Sequence, residues 1–315
     1  MEDLVTGYSK FMTGVQIQFL RRSFLLTLVM FVASLKSCSG NSIDSIKTDK
    51  DVFIFVKQFF SKQNAKEKFD NYYTEAIEVP DSLKNKHWFK ADIDNNGETD
   101  LLVCGAEDRS EIFAILSFKG KYKRIVPKYL CRYHFFYPAI KRENGKNVVL
   151  FYSPDKNGHY DESGKFIYTK LDCDTLTVID NKFVNYVKDP VRHDINQVII
   201  SNDGFCEGNC MPFHINIDAK KHTGIIIDPV NKTHTIKIAR AEIDSILLLI
   251  ERSNFSHLKD KYTVGCTDQT TTTLTVIYDG GKIKKIEDYG SSGNFTLSEI
   301  FHIAFNLKGI VRNGR

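Results

Sequence analysis

The chain has 315 residues, which is long enough for two domains with separate hydrophobic cores. Its composition is 42% hydrophobic and 12% aromatic, which excludes a disordered or collagen-like chain. The formal net charge of +4 is small and spread along the sequence, so no nucleic-acid partner is expected.

The N-terminus has the features of an export signal. Two arginines at 21–22 precede an apolar run at 24–35, which is shorter than the about 20 residues that a helix needs to span a bilayer. Small residues follow the run, as they do at a cleavage site. We therefore predict a signal peptide at 1–37 and a tether at 38–50. An uncleaved membrane anchor or a buried helix is the alternative interpretation.

The end of the apolar run resembles the lipobox of bacterial lipoproteins. Leu35, Ser37 and Cys38 occupy the matching positions. The resemblance implies that Cys38 is lipidated and becomes the first residue of the mature chain, so that the lipid provides the contact with a membrane. The expected location is the bacterial outer membrane or cell surface, with the periplasm as the alternative.

The cysteine count agrees with export. The chain has seven cysteines, and an even set remains if Cys38 carries a lipid. Such a set in an oxidising compartment permits disulfide bonds. The candidates are Cys206, Cys210 and Cys266, with a bridge either between the first two or from one of them to the third. The alternatives are buried free thiols, a redox pair, and a zinc site of Cys206, Cys210 and His214, a set that lacks a fourth ligand.

The N-terminal domain is predicted at 51–185 as one helix followed by an antiparallel β meander. The Thr48-x-x-Asp51 start and the apolar spacing of three and four predict an amphipathic helix that ends near Gln63. Alternating segments separated by turns predict the strands. The predicted strands after residue 110 are 111–118, 122–127, 135–141, 147–152, 165–171 and 175–180.

The ten residues 92–101 have the ligand spacing of a calcium loop. The candidate ligands supply oxygen atoms at alternate positions: Asp92, Asp94, Asn96, Glu98 through its backbone carbonyl, and Asp100. Hard oxygen donors suit calcium, and Gly97 stands where the chain must turn sharply. The loop is not an EF-hand, because Val103 occupies the position of the bidentate glutamate. We predict one structural calcium ion here; a hairpin turn without an ion is the alternative, since turns also favour Asp, Asn and Gly.

The stretch 89–105 resembles one repeat of the FG-GAP or VCBS type, in which two strands flank a calcium-binding loop. All of the expected ligand positions are filled. The resemblance implies a calcium-clasping hairpin. Because the sequence contains one good copy, a full propeller is not supported.

The C-terminal domain is predicted at 201–312, after a linker at 186–200. Alternating segments, an amphipathic helix at 241–252, a Thr-rich hairpin at 271–289 and a closing helix at 297–307 predict about five strands and two helices. The whole protein is therefore expected to be α+β with two domains.

This C-terminal order resembles a bacterial domain-of-unknown-function family found in exported lipoproteins. The residues in register are Cys206, Gly208, Cys210, Phe213, Phe255, Leu258, Tyr262 and Asp268. Proline follows Met211 instead of the second cysteine, which puts the local turn in doubt. The resemblance implies a fold and an exported location, and it supplies no reaction.

Two main functions remain open on the sequence, and a redox protein that uses Cys206 and Cys210 is a third, lower option. The first is an envelope-anchored, non-catalytic binding or structural lipoprotein with one structural calcium ion and a protein or polysaccharide partner. The alternative is an exported metal-dependent hydrolase, with Asp92, Asp94 and Asp100 around a working metal and the aromatic residues of 129–137 holding the substrate. The sequence has no G-x-S-x-G or H-E-x-x-H motif, which favours the first.

Overall fold

A computed structural model describes the chain over residues 42–60, 88–104, 112–128, 137–154, 159–160, 166–167, 171–204, 212–227, 235–264 and 268–313. The chain divides between Ser45 and Ile46, and the helices and strands given below lie in the unit Ile46–Arg315. Within the described residues the protein is α+β, with mainly antiparallel sheets and three α-helices, as the sequence predicts.

The helices are α1 (Asp49–Val56), α2 (Arg240–Arg252) and α3 (Phe295–Asn313), with 3-10 turns at Lys57–Phe59 and Phe255–His257. The predicted capping box is present at the start of α1. The hydroxyl of Thr48 accepts from the Asp51 amide, and the Asp51 carboxylate accepts from the Thr48 amide. The α-helix ends at Val56, and the predicted end near Gln63 lies outside the described residues.

The first sheet contains β1 (Trp88–Ala91), β2 (Asp100–Cys104), β3 (Ile112–Phe118) and β4 (Lys121–Ile125), in that order and antiparallel. Six consecutive residues of β3 are buried, so this strand is covered on both faces. On one face the Phe113 ring meets Phe60 at a centroid distance of 5.5 Å. On the other face Ala114 and Leu116 join the core shared with the second sheet.

The second sheet contains β5 (Tyr137–Glu143), β6 (Lys146–Pro154), β9 (Leu171–Ile179) and β10 (Lys182–Asn185), in the order β10-β9-β6-β5. Between β6 and β9 in the sequence, β7 (His159–Tyr160) and β8 (Phe166–Ile167) form a separate two-stranded antiparallel sheet. Leu102 and Leu116 of the first sheet share one hydrophobic core with Phe151 and Phe183 of the second. The two sheets therefore pack as a sandwich.

The third sheet has the order β14-β13-β12-β11-β16-β17-β15. Its strands are β11 (Ile195–Asn202), β12 (Phe213–Asp218), β13 (Thr223–Ile227), β14 (Thr235–Lys237), β15 (Lys261–Tyr262), β16 (Thr271–Tyr278) and β17 (Lys282–Tyr289). Only the β15–β17 pair is parallel among these described strands. Helices α2 and α3 contribute Ile246 and Phe301 to the same core as Val198 and Leu274, so both helices pack on this sheet.

Part of the stretch that the sequence assigned to a linker is regular structure. Strand β11 begins at Ile195, inside 186–200, and pairs with both β12 and β16 at the centre of the third sheet. Pro190 and the mixed charge before it obscure the alternation that buries Val198 and Ile200. With β11 and β15, the described sheet has seven strands instead of about five. The division of the chain into two domains stays a prediction.

Candidate metal site

The loop Asp92–Thr99 joins β1 to β2 at the end of the first sheet. Ile93 is completely buried and belongs to the core shared by the first two sheets, so the loop is anchored by its second residue. Asn95 and Gly97 have left-handed backbone conformations, with φ of 60° and 93°. These are residue types that tolerate positive φ, and the space next to Gly97 is open, so the glycine is required by conformation alone.

This loop brings three carboxylates together. Oxygen atoms of Asp92, Asp94 and Asp100 all lie within 4.8 Å of one another. Asp100 is completely buried, and the other two are half-buried. Among the ion pairs of the described residues, none joins a lysine, arginine or histidine to any of the three. The negative charge is therefore concentrated without a compensating side chain.

Backbone amides hold the carboxylates in place. Asp92 accepts from the amides of Asn96 (2.9 Å) and Gly97 (2.9 Å), one at each oxygen. Asp100 accepts from Ile93 (2.7 Å) at one oxygen and from Ser117 (2.8 Å) at the other. Oδ2 of Asp100 also accepts from the Asp94 amide (3.3 Å) and so has two donors. Because a carboxylate has about four lone-pair sites, the two Asp92 oxygens and Oδ1 of Asp100 keep capacity for a further contact.

The pKa values of two of these carboxyl groups are raised, as expected for carboxylates that lie close together. Burial raises the pKa of Asp100 to about 7, and the nearby charge of Asp94 adds to the effect. Burial also raises the pKa of Asp94, with a further contribution from Asp92. Both shifts mean that the folded loop opposes ionisation of its carboxylates, and a bound cation would reverse that effect.

The other two predicted ligands are placed differently. The amide oxygen of Asn96 accepts from the Glu98 amide (2.7 Å), while its NH₂ group donates to Asp94 and to the Ser117 carbonyl. The Glu98 carboxylate turns towards the β3–β4 turn, where it accepts from the Ser117 hydroxyl and the Lys119 amide (both 2.7 Å). These contacts lower the pKa of Glu98, mainly through the bond from Ser117. Glu98 thus fixes the loop to β3 through its side chain, which is consistent with its predicted role through the backbone carbonyl.

A pair of asparagines connects the loop to the second sheet. The Asn147 amide of β6 donates to Oδ1 of Asn95 (2.9 Å), and Nδ2 of Asn95 donates back to the Asn147 carbonyl (3.3 Å). The Asn147 side chain also donates to the Asp92 carbonyl (2.8 Å). Sequence reasoning missed Asn95, Asn147 and Ser117. Asn147 lies 52 residues from Asn95 and Ser117 lies 17 residues from Asp100, separations that no local pattern relates. Asn95 could have been singled out as a non-ligand residue of the loop that tolerates positive φ.

The residues present fit a calcium ion. Their side-chain donors are carboxylate and amide oxygens, which are hard ligands, and the described group contains no thiolate or imidazole. Asp92, Asp94 and Asp100 would hold the ion, and Asn96 and the Glu98 carbonyl are the further donors that the sequence offers. The ion would supply positive charge to the loop. Its binding stays a prediction.

Other predicted site residues lie outside the described residues. They are the lipidation candidate Cys38, the disulfide candidates Cys206, Cys210 and Cys266, and the aromatic residues at 129–136. Of the described cysteines, Cys173 is an exposed free thiol, and burial raises the pKa of Cys104 to about 12. Within the part of the chain that the structure describes, no helix is both long and apolar enough to cross a membrane.

Comparison with known families concerns the third sheet and its helices. Residues 197–307 match the family model described as Domain of unknown function (DUF6438). The match extends from β11 into α3 and confirms the expectation that the C-terminal part resembles a domain of unknown function. The Asp92–Asp100 loop lies outside it. No curated protein and no solved structure matches the chain.

Proposed function

We propose that this protein is an exported, lipid-anchored envelope protein that binds one structural calcium ion in the Asp92–Asp100 loop. The observation that carries the calcium proposal is the approach of three carboxylates to within 4.8 Å without a paired cation among the described residues. Close like charges destabilise an empty loop, and a dication in their midst removes the repulsion.

The ion would stabilise more than the loop itself. Asp100 opens β2 and contacts β3 through Ser117, while Asp92 is held from β6 by Asn147. A cation shared by these two carboxylates would therefore link the first sheet to the second. Calcium binding and packing of the sandwich would then stabilise each other by mutual linkage.

The geometry favours a structural ion over a catalytic one. A catalytic metal needs a coordination position that a substrate can reach. Here Asp100 is completely buried, and the Asp92 oxygens are already directed by the Asn96 and Gly97 amides. The alternative of a metal-dependent hydrolase gains no support from these contacts.

Isothermal titration calorimetry of the chelator-treated full chain tests the calcium proposal. We expect one calcium per chain, with a dissociation constant of about 10⁻⁴ M or tighter, and weaker binding of magnesium, which demands smaller octahedral sites. Asp94→Ala should abolish the heat of binding. Asp218→Ala is the matched control, because that exposed aspartate pairs with Lys221 far from the loop in sequence. Unaltered binding in Asp94→Ala would rule out this site.

Cell fractionation and intact-mass analysis test the proposed envelope location separately. The material isolated from the producing bacterium should begin at Cys38, carry the mass of a lipid and partition with membranes. Cys38→Ser should lose the lipid and leave the membrane fraction. If the protein is found in the soluble fraction with residues 1–37 still attached, the proposed envelope location is wrong. The calcium proposal would be unaffected, because calorimetry tests it separately.

A further inference from the structure

Three segments that are distant in sequence meet at one end of the third sheet. His193 lies just before β11, Ser256 lies in the 3-10 turn that follows α2, and Asp279 follows β16 at the β16–β17 turn. The His193 side chain is 12% exposed and the Asp279 side chain 29% exposed, and Ser256 is half-buried. The group is separate from the calcium loop.

The side-chain atoms of this group form a continuous chain of contacts. Nδ1 of His193 lies 2.8 Å from Oδ2 of Asp279, and Nε2 lies 3.1 Å from Oγ of Ser256. The histidine therefore uses one ring nitrogen for a carboxylate and the other for a hydroxyl. This is the geometry in which a carboxylate orients a histidine that acts as a base towards a serine.

One placement of the protons satisfies all of these contacts. Asp279 only accepts, so Nδ1 of His193 carries the ring proton and Nε2 accepts from the Ser256 hydroxyl. Nδ1 of His257 lies 3.1 Å from the Asn254 side-chain oxygen and 3.0 Å from Oγ of Ser256, so its N–H serves both oxygens. The serine oxygen then faces a base on one side and an N–H donor on the other.

The base is held in position from several directions. The rings of Phe255 and Tyr278 meet the His193 ring edge-on, at centroid distances of 5.1 and 4.8 Å. Oδ1 of Asp279 accepts from the Asp194 amide (2.9 Å). This bond, followed by the one from His193, lowers the pKa of Asp279. The carboxylate is therefore charged at neutral pH and fixed on both oxygens.

We propose that Ser256, His193 and Asp279 form a nucleophilic site that hydrolyses small carboxylic esters. The roles are nucleophile for Ser256, general base and acid for His193, and orienting carboxylate for Asp279. The neighbouring side chains of His257, Lys220 and Lys282 are exposed, which suits a small, water-soluble ester that approaches from solvent. This activity would replace the sequence-based expectation of a non-catalytic protein.

The reaction balances with water as the co-reactant. Oγ of Ser256 bonds to the ester carbonyl carbon while its proton passes to Nε2 of His193, and the leaving alkoxide then takes that proton as its bond to the acyl carbon breaks. Water next attacks the acyl-serine, gives a proton to Nε2, and the serine oxygen leaves and regains a proton. One ester and one water become one acid and one alcohol, and Asp279 stays charged throughout.

A fluorophosphonate probe on the purified full chain tests the site, because such probes bond covalently to activated serine hydroxyls. Intact-mass analysis and peptide mapping should find one adduct, on Ser256, and p-nitrophenyl acetate should be hydrolysed with an initial burst. Ser256→Ala should remove the adduct, and His193→Gln should slow labelling by about 100-fold or more. Asp279→Asn should slow labelling by a similar factor, because the histidine loses its preferred tautomer.

The chain supplies matched controls. Ser245→Ala removes a serine that donates to Asp180 (2.7 Å) without a histidine, and His222→Ala removes a histidine that contacts Asp244 without a serine. Both should label at the wild-type rate. A folded wild-type chain that gains no adduct on Ser256 would overturn the proposal, as would labelling that His193→Gln leaves unchanged. If a variant fails to fold, labelling of the wild-type chain decides the test. A wild-type labelling rate that is the same at acidic and at neutral pH would contradict a site that depends on a histidine base.

Discussion

Two aspartates, Asp100 in the first sheet and Asp288 in the third, are both completely buried, yet their surroundings differ. Asp288 accepts from the amides of Ser292 (2.7 Å) and Gly293 (3.1 Å) in the turn before α3. That turn closes so tightly that a Cβ at Gly293 would stand 2.7 Å from the Asp288 carboxylate. Asp100 also accepts from amides, but it belongs to the group of three carboxylates, and Asp288 does not.

Asp288 and Asp100 represent two different roles of a buried aspartate near a turn. A carboxylate that is surrounded by backbone amides organises a turn without help from an ion. A carboxylate that shares its surroundings with two others needs a cation before all three can be charged. A hairpin turn alone would surround Asp100 with backbone amides, whereas a calcium site also brings other carboxylates close to it. The spacing of the residues in the sequence does not reveal which of these neighbours Asp100 has.

The largest effect is expected from paired substitutions of these two aspartates. Asp100→Asn should weaken calcium binding at least about 100-fold, because it removes a charged ligand from the loop. Asp288→Asn should leave the calcium affinity within about twofold and lower the free energy of unfolding by about 1–3 kcal/mol, because an NH₂ group replaces one of the two oxygens that accept from the Ser292 and Gly293 amides. Calorimetry and urea unfolding measure the two effects. Equal calcium affinities in the two variants would contradict the assignment of Asp100, and not Asp288, to the calcium site.

A third buried carboxylate, Glu299 of α3, sharpens the comparison through pH. It is 3% exposed, and burial raises its pKa to about 7, against the opposing effect of Lys128 and Lys182. Below about pH 4.5 Glu299 is protonated in both the folded and the unfolded protein, so its burial does not reduce the free energy of unfolding. As the pH rises from 4.5 towards 7, Glu299 ionises in the unfolded protein before it ionises in the folded protein, and the free energy of unfolding falls.

Glu299→Gln should therefore raise the free energy of unfolding at pH 8 by on the order of 2 kcal/mol and change it little at pH 4.5. Urea unfolding at both pH values measures the difference. Glu287→Gln is the control of opposite sign, because Lys285 and Lys261 lower the pKa of that half-exposed glutamate. A stabilisation by Glu299→Gln that does not depend on pH would contradict the burial argument.

Much of the fold could be predicted, and the reasons are local. The strands β16 and β17 and the turn between them follow from alternation and Asp279-Gly-Gly281, and α1 follows from its capping box. The first part of β11 could not be predicted, because Pro190 and scattered charge precede a strand whose burial depends on both neighbours. The ligand spacing of the loop was visible in sequence. Its connection to β6 was not, because Asn95 and Asn147 meet only after the sheets pack.

A smaller effect on calcium binding is expected from substitution of Asn147, which connects the Asp92–Asp100 loop to the second sheet. Asn147→Ala should weaken calcium binding about fivefold and cost about 1–2 kcal/mol of stability, because the Asp92 carbonyl loses its donor from β6. Titration and urea unfolding measure both. Asn216→Ala is the matched control, since its amide oxygen accepts from Gln197 on the third sheet. Identical calcium affinities in the two variants would contradict the coupling of loop and second sheet.

The smallest effect is expected at the glycines. Gly97→Ala and Gly145→Ala both force alanine into positive φ, at 93° and 78°, with no atom near the added Cβ. Each should lower the free energy of unfolding by about 1 kcal/mol. Only Gly97→Ala should also weaken calcium binding, because Gly145 lies in the β5–β6 turn. Equal effects of both substitutions on affinity would show that the loop conformation does not set the site.

The most direct test of the calcium account is urea unfolding of the chelator-treated chain at increasing calcium, followed by the fluorescence of Trp88, the single tryptophan. A ligand at 100 times its dissociation constant stabilises the folded state by about 2.7 kcal/mol. We predict a gain of that size in the wild type and none in Asp94→Ala. An unfolding curve of the wild type that calcium does not move, or an equal gain in Asp94→Ala, would contradict the account.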